Sequence, residues 1–232
     1  MRHLPDTRYP RGMGSEFPAA IRRFVVFEGV DGAGTTTQLR LAGEALSRAG
    51  IPHWTTCEPT ARPEGALIRR ILGGGLVADP GTVAYLFAAD RHEHLYGTGG
   101  MLERLGRGEI VICDRYVLSS LAYQGASCGE ELPAALNARF PLPELLVYFD
   151  VDPSVSMGRV GERVAREIYE ELGFQERVRA AYEGALARYA DSGMRVVRVD
   201  AGAGLAEVAS AVLRALSEVA LTALAPPPGA TD

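Results

Sequence analysis

A glycine-rich segment near the amino terminus follows a short apolar run and has the residue types that bind phosphate. It reads GVDGAGTT from Gly29 to Thr36. Glycines at this spacing let successive backbone N–H groups point into one cavity, and a helix that starts here adds the positive end of its dipole. We therefore expect a loop that binds nucleotide phosphates. Its predicted residues are Gly29, Val30, Asp31, Gly32, Ala33, Gly34, Thr35, Thr36 and Thr37.

The loop departs from the usual phosphate-binding pattern, G-x-x-x-x-G-K-[ST], at one position. Thr35 stands where the lysine would carry a positive charge to the β- and γ-phosphates. Thr36 fills the Ser/Thr position, so its hydroxyl can bind Mg²⁺. All 24 basic residues counted as Lys plus Arg are arginines. Avoidance of lysine would by itself place arginine at position 35 and keep the charge, so the threonine raises the question of whether catalysis survives.

Three further clusters have residue types suited to nucleotide chemistry. Asp114 ends an apolar run and can hold Mg²⁺, and the adjacent Arg115 can form two hydrogen bonds with a phosphate. Phe87 and Arg91 are four residues apart, so on a helix a ring and a guanidinium would share one face and could meet one flat base. Arg159, Arg163 and Arg166 are also three or four apart. On a mobile segment they could close over transferring phosphates and exclude water.

These residues must be positioned by alternating strands and helices. The predicted strands are Val25–Phe27, Pro52–Cys57, Glu109–Cys113, Leu145–Phe149 and Arg195–Asp200. The predicted helices are Thr36–Arg48, Ala66–Leu72, Pro80–Leu105, Tyr116–Ala126, Pro153–Arg163, Glu170–Tyr189 and Leu205–Leu221. For Pro80–Leu105, an interruption at Gly97–Gly100 is an open alternative. This alternation predicts an α/β fold of the P-loop NTPase type, with a parallel sheet of about five strands, helices on both faces and a small arginine-bearing lid. Ligands should bind at the carboxyl ends of the strands.

Length and composition set further limits. A chain of 232 residues suits a single domain, which we expect over residues 21–225. Residues 1–20 are expected to be a disordered leader, residues 226–232 a disordered tail, and residues 159–169, approximately, the lid. The net charge of −5 argues against a nucleic acid polymer as partner. No apolar run approaches the ~20 residues that span a bilayer, so no membrane partner is expected. Three cysteines without metal-type spacing are typical of a reducing cytoplasm.

Four motifs in order resemble those of the thymidylate kinase family. They are FEGVDGAGTTTQ at Phe27–Gln38, TCEPTARPEGALIR at Thr56–Arg69, FAADR at Phe87–Arg91 and DRYVLSSLAYQ at Asp114–Gln124. The resemblance covers most of the chain after residue 22. It implies a nucleoside-monophosphate-kinase-like domain that transfers the γ-phosphate of ATP to dTMP with Mg²⁺, giving dTDP for dTTP biosynthesis. It also implies in-line transfer without a covalent intermediate, and a homodimer.

The resemblance implies roles for the residues that would bind the acceptor. Phe87 would stack on thymine and Arg91 would donate to its O4. Ser120 and Gln124 would contact the remaining base edge. Tyr123 would lie under the sugar, where it disfavours a ribose 2′-hydroxyl.

It also implies roles around the phosphates. Arg69 and Arg115 would face the dTMP phosphate or the adjoining sugar, Asp31 would approach the acceptor and Mg²⁺, and Asp114 would help Thr36 to hold the metal. The residues expected to be catalytic are Asp31, Arg115, Arg159, Arg163 and Arg166.

Two departures from the family pattern leave alternatives open. Thr35 replaces the loop lysine, and Cys57 replaces the arginine of T-R-E-P. The lid arginines would compensate for the first, and Arg62 could stand in for the second. One alternative is a catalytically weak or inactive nucleotide-binding paralogue with a regulatory or structural role. Another is a kinase for a different nucleoside monophosphate.

Overall fold

The computed structural model describes residues 17–160 and 172–224. Within these ranges a single parallel sheet has five strands in the order β2-β3-β1-β4-β5. The strands are β1 (Ala20–Gly29), β2 (His53–Cys57), β3 (Ile110–Asp114), β4 (Leu142–Asp150) and β5 (Arg195–Asp200). The predicted α/β class with a parallel sheet of about five strands is therefore confirmed.

Helices flank this sheet. In chain order they are α1 (Thr35–Arg48), α2 (Pro63–Leu72), α3 (Pro80–Tyr96), α4 (Met101–Gly106), α5 (Val117–Ser119), α6 (Gly125–Cys128), α7 (Glu131–Asn137), α8 (Pro153–Val160), α9 (Leu172–Arg188) and α10 (Leu205–Leu224). A π-helical turn, Ser120–Gln124, joins α5 to α6. Helices α1 and α10 pack against each other and against β1, and α9 packs against the π-helical turn. No helix within the described ranges is long and apolar enough to cross a bilayer.

The hydrophobic core lies on the three central strands. Residues 24–27 of β1 are fully buried, and so are Val111 and Ile112 of β3 and Leu145 and Val147 of β4. Strands of a parallel sheet that is covered by helices are apolar along their whole length, because both faces are shielded from water. The carboxyl ends of β1 and β3 lie side by side, with Phe27 in register with Asp114. This register brings the phosphate-loop candidate next to the strand-end acid.

Several element boundaries differ from the prediction. The helical stretch predicted over Pro80–Leu105 is two helices, and they are separated at Gly97–Gly100, where the sequence left an interruption open. The backbone at Gly97 is extended, which ends the first of the two. The helix predicted over Tyr116–Ala126 contains the π-helical turn. Helix α7 was not predicted at all.

The first described residues of the chain, 17–20, are part of the folded domain. Strand β1 starts at Ala20, and the ring of Phe17 lies 5.2 Å from that of Tyr189, so residues 17–20 of the predicted leader pack on the domain. Residues 1–16, the tail over 226–232 and Arg163 and Arg166 of the predicted lid lie outside the described residues.

Candidate active site

The loop after β1 has the conformation that its glycines favour. Gly32 and Gly34 have φ values of 77° and 90°, which side chains other than glycine rarely adopt. Gly34 precedes the first residue of α1, and the first turn of α1 carries no acidic side chain. A Cβ on Gly29 would lie 3.0 Å from the carbonyl oxygen of Phe149 in β4. The loop therefore presents the positive end of α1, as an anion-binding loop requires.

Thr35 and Thr36 open α1 in different environments. Thr35, at the position of the missing lysine, is buried, and it contributes no charge. Thr36 is exposed, and its hydroxyl donates a hydrogen bond to Asp114 Oδ2 at 2.7 Å. The first helical turn after the loop is thus tied to the end of β3.

The pair Thr36–Asp114 has the donor set for a hard cation. Asp114 is 5% exposed, and its second oxygen, Oδ1, is buried without a hydrogen-bond partner among the residues described. A buried carboxylate oxygen normally has a partner, because leaving it unsatisfied costs about 1–3 kcal/mol. Carboxylate and hydroxyl oxygens are the protein ligands that Mg²⁺ prefers. These residues therefore fit a magnesium ion.

Asp31 and Arg115 form an ion pair between the loop and the segment after β3. Arg115 donates through Nη2 to Asp31 Oδ1 and through Nη1 to the carbonyl oxygen of Gly29, at 3.1 Å in the second case. Its φ of 69° is unusual for a residue with a side chain, and its N–H donates to Phe27 O at 2.9 Å. The guanidinium also lies over the Tyr123 ring, 5.0 Å from the centroid. These contacts hold Arg115 in a strained backbone conformation beside the loop.

Gln175 is a site residue that the sequence reasoning missed. Its side chain is fully buried on α9, and its amide contacts Asp31 twice. Nothing in the local sequence of α9 indicates this contact, because the two residues are 144 positions apart.

A cleft of about 130 Å³ opens beside this ion pair. Six of the seven residues predicted to bind the acceptor line it, namely Arg69, Phe87, Arg91, Arg115, Tyr123 and Gln124. Asp31 also lines the cleft, so one residue belongs both to the phosphate loop and to the cleft wall. The seventh, Ser120, lies behind the wall, where its hydroxyl accepts from Arg91 Nη1 at 3.1 Å.

Arg91 is held more completely than predicted. All five of its N–H groups have acceptors inside the protein. Nε and Nη2 donate to Glu58 Oε2 at 2.9 and 2.7 Å, and Nη2 also donates to the carbonyl oxygen of Tyr116 at 2.8 Å. Nη1 donates to Ser120 and to Asn137 of α7. A hydrogen bond to the O4 of a base would have to share one of these donors, and the base contact predicted for Arg91 stays a prediction.

Gln124 has an unused hydrogen-bond acceptor. Its side chain is 2% exposed, and within residues 17–160 and 172–224 its Oε1 has no hydrogen-bond partner. Because Gln124 lines the cleft, this oxygen can accept from an N–H group of a bound molecule.

Behind the cleft, Glu58 and His94 form a buried pair. His94 Nδ1 lies 3.1 Å from Glu58 Oε1, and its Nε2 lies 2.8 Å from the hydroxyl of Thr56. His94 is 2% exposed, so it faces the protein interior rather than solvent. The pair instead fixes Glu58, which in turn orients Arg91.

Glu28 joins the end of β1 to two helices. This fully buried carboxylate accepts from the backbone N–H groups of Tyr116 and Ser119, at 3.0 and 3.1 Å, and from the hydroxyl of Tyr182 on α9, at 3.0 Å. Ser119 Oγ also donates to it. Burial raises the pKa of the Glu28 carboxyl, although the hydrogen bond from Ser119 opposes this. Burial likewise raises the pKa of the Tyr123 hydroxyl, so this group is protonated at neutral pH.

Arg62, which was suggested to replace the positive charge missing at Cys57, binds two other groups. Arg62 donates to Glu93 Oε1 at 2.6 Å and to the carbonyl oxygen of Thr98 at 2.9 Å. The side chain of Cys57 is itself exposed, at the end of β2. The contacts of Arg62 argue against its replacing the arginine missing at Cys57, because Glu93 of α3 holds the guanidinium.

Of the three arginines predicted to be catalytic in the lid, the structure describes Arg159 alone. It lies exposed on α8, and its Nη1 donates to the carbonyl oxygen of Ala201, after β5, at 2.7 Å. Arg159 thus lies near the carboxyl ends of β4 and β5, on the edge of the sheet that carries the loop.

Comparison with known proteins identifies the same family along most of the chain. The family model described as thymidylate kinase matches residues 27–212. A putative thymidylate kinase of Treponema pallidum is 42% identical over 201 residues, which is 85% of this chain and 96% of the relative. A putative thymidylate kinase of Aeropyrum pernix is 42% identical, with 77% of this chain and 85% of the relative covered. The thymidylate kinase of Thermomicrobium roseum is 40% identical, with 71% of this chain and 81% of the relative covered.

Proposed function

The chain belongs to the thymidylate kinase family, and we propose that it transfers the γ-phosphate of ATP to the phosphate of dTMP, forming dTDP. The observation that carries this proposal is the position of Asp31, which is part of the phosphate loop and also lines the cleft that holds the acceptor candidates. Two nucleotides bound in these places would meet at their phosphates. The oxygen of dTMP would then attack the γ-phosphate in line, with no covalent intermediate on the protein.

On the donor side, the residues from Gly29 to Thr37 would cradle the phosphates of ATP. Thr36 and Asp114 would hold Mg²⁺, and the unpartnered Oδ1 of Asp114 supports this assignment. When bound, the ion would neutralise part of the charge on the phosphates during transfer.

On the acceptor side, Phe87 would stack on thymine from the cleft wall. The unpaired Oε1 of Gln124 would accept from N3–H of the base, which thymine and uracil carry and cytosine lacks. Ser120 would act through Arg91 rather than touch the base. Tyr123 would lie under the deoxyribose, and Arg69 and Arg115 would face the dTMP phosphate.

The charge missing at Thr35 must come from elsewhere if turnover is to be fast. Phosphoryl transfer depends mainly on positioning and on neutralising the transferring group. We assign this work to Arg115 and to the predicted lid arginines Arg159, Arg163 and Arg166, the last two from outside the described residues. The inactive-paralogue alternative is not favoured, because six of the seven acceptor candidates line the cleft.

We further propose a cytoplasmic homodimer. Three exposed apolar side chains, Leu76, Val77 and Tyr85, lie on α3 and on the connection that precedes it, with Val77 95% exposed. Burying such a surface against a second copy is favourable, at about 25 cal/mol per Å² of apolar area. Sedimentation of the purified protein tests this arrangement.

Release of ADP from MgATP, with and without dTMP, tests the proposed function. The unmodified protein and a Thr35→Lys variant are assayed side by side. Turnover that requires dTMP in the unmodified protein is the expected result. Activity confined to the lysine variant would instead indicate a scaffold disabled at one position, and silence in both would contradict the kinase assignment.

A further inference from the structure

Gln175 contacts the phosphate loop from a distant helix, and it holds one loop residue at two points. The N–H of Asp31 donates to Gln175 Oε1 at 3.3 Å, and Gln175 Nε2 donates to Asp31 Oδ2 at 2.9 Å. A side-chain amide carries both the acceptor and the donor that this pair of contacts requires. Gln175 therefore fixes the backbone and the carboxylate of Asp31 together.

The other oxygen of Asp31 is bound by Arg115. Nη2 of Arg115 donates to Oδ1, while Nη1 is occupied by the carbonyl oxygen of Gly29. A carboxylate free to rotate would tend to take a guanidinium with both oxygens, because the two-point pair is the stronger geometry. Gln175 occupies Oδ2 and so prevents this. The other N–H groups of Arg115, apart from the contact with the hydroxyl of Tyr123, can then bind another anion.

We infer that Gln175 is a positioning residue for the acceptor phosphate, because by holding Asp31 Oδ2 it limits Asp31 to a one-point ion pair with Arg115; the inference rests on the proposed function.

Whether Arg115 is available to bind an anion matters more in this chain than in one with the loop lysine, because Thr35 carries no charge. Three cations line the cleft among the described residues: Arg69, Arg91 and Arg115. Arg91 already donates its five N–H groups inside the protein, two to Glu58 and one each to Ser120, Asn137 and the carbonyl oxygen of Tyr116. Arg69 donates to the carbonyl oxygens of Pro59 and Thr60. Arg115 is thus the cleft cation whose availability depends on how its one carboxylate partner is held.

If Gln175 contributed packing alone, replacing another buried residue of α9 would have the same effect. Val178 of α9 is therefore the matched control. Val178 lies three residues further along the same buried face and is also fully buried. Val178→Ala removes packing from this face without changing a hydrogen bond to the loop. Gln175→Met keeps the approximate length of the side chain and removes both contacts with Asp31.

The test compares the unmodified protein with Gln175→Met, Gln175→Glu and Val178→Ala. For each protein, the affinity for dTMP is measured by calorimetry, and kcat and KM are measured by assay, from pH 5.5 to 9. Gln175→Met is expected to weaken dTMP binding about tenfold or more at every pH. In Gln175→Glu the introduced carboxyl faces Asp31, so its pKa is raised. Its ionised form cannot donate to Oδ2 and its protonated form can, so dTMP affinity is expected to recover as the pH falls.

Each outcome separates the inference from the proposed function. Val178→Ala should lower stability and leave the pH profile of dTMP binding unchanged. If the unmodified protein binds dTMP and turns over, but Gln175→Met behaves like Val178→Ala or Gln175→Glu shows no recovery at low pH, the inference falls and the function stands. If the unmodified protein neither binds dTMP nor turns over, the proposed function fails and takes the inference with it.

Discussion

The hydroxyl of Thr36 donates to Asp114 Oδ2 at 2.7 Å and leaves the second carboxylate oxygen of Asp114 buried and unpaired within the described part of the chain. This arrangement joins the first turn of α1 to the end of β3. It places a hydroxyl and a carboxylate next to the phosphate loop, where a cation bound to nucleotide phosphates would lie.

Replacing the acid in this pair should therefore weaken the response to magnesium. For Asp114→Asn we expect turnover to fall at least ~100-fold at limiting Mg²⁺, because a ligand and its charge are lost. Binding of dTMP without metal should change little. Titration of the rate with Mg²⁺ measures the effect, and an unchanged Mg²⁺ dependence would contradict the assignment of Asp114.

The buried oxygen of Gln124 should select the base. Gln124→Met removes the acceptor for N3–H, so KM for dTMP is expected to rise about tenfold, the usual effect of losing one buried hydrogen bond. The comparison ligand is dTMP methylated at N3. It should bind the unmodified protein poorly and lose little further affinity in Gln124→Met, and equal losses for both ligands would argue against this contact.

Arg62 is expected to contribute nothing to acceptor binding. Its guanidinium is held by Glu93 and by the carbonyl oxygen of Thr98. We expect Arg62→Ala to leave KM for dTMP within a factor of two, roughly the effect of removing an exposed ion pair. Arg163→Ala and Arg166→Ala serve as the contrast, since they should lower kcat if they supply the charge missing at Thr35.

Glu28 should make stability depend on pH. Burial raises its pKa above the ordinary 4.5, so the folded state binds this proton more tightly than the unfolded chain does. Its contribution to the free energy of unfolding is full below pH 4.5 and is lost as the pH rises through the raised pKa. Glu28→Gln removes this titration, and a side-chain amide can still meet the surrounding N–H and hydroxyl groups.

Urea unfolding from pH 4 to 8 checks this prediction. The stability of the unmodified protein relative to Glu28→Gln should decline as the pH rises. A constant difference over this range would show that Glu28 does not titrate differently in the two states.

Gly65 should not tolerate a side chain. A Cβ there would lie 1.9 Å from the carbonyl oxygen of Thr60, which is backbone and cannot move freely. We expect Gly65→Ala to destabilise the protein by about 1–3 kcal/mol. Gly184→Ala, on α9 with open space around its Cβ, is the control and should be neutral or stabilising by up to about 1 kcal/mol. Thermal unfolding of both variants gives the comparison.

Local sequence patterns were sufficient to predict the fold and the positions of the motif residues. Apolar runs alternating with helical spacing predicted the five-stranded sheet, and the spacing of Phe87 and Arg91 placed both on the cleft wall. These inferences succeed because strand burial and helix periodicity are properties of short segments.

The partners of those residues could not be predicted in the same way. The partner of His94, Glu58, lies 36 residues away, and Asn137 lies on a helix that was not predicted. Gln175 reaches Asp31 across 144 residues. Such contacts form only when the sheet and its helices pack together, so no periodicity in the sequence predicts them.

Asp31 belongs to the loop that faces the donor and to the wall that faces the acceptor, and this shared membership has a thermodynamic consequence. Any shift of Asp31 caused by one nucleotide changes the free energy with which the second one binds. Because linked equilibria are reciprocal, ATP must alter the affinity for dTMP by the same factor as dTMP alters the affinity for ATP. Binding of ATP and binding of dTMP would then be coupled through the carboxylate of Asp31.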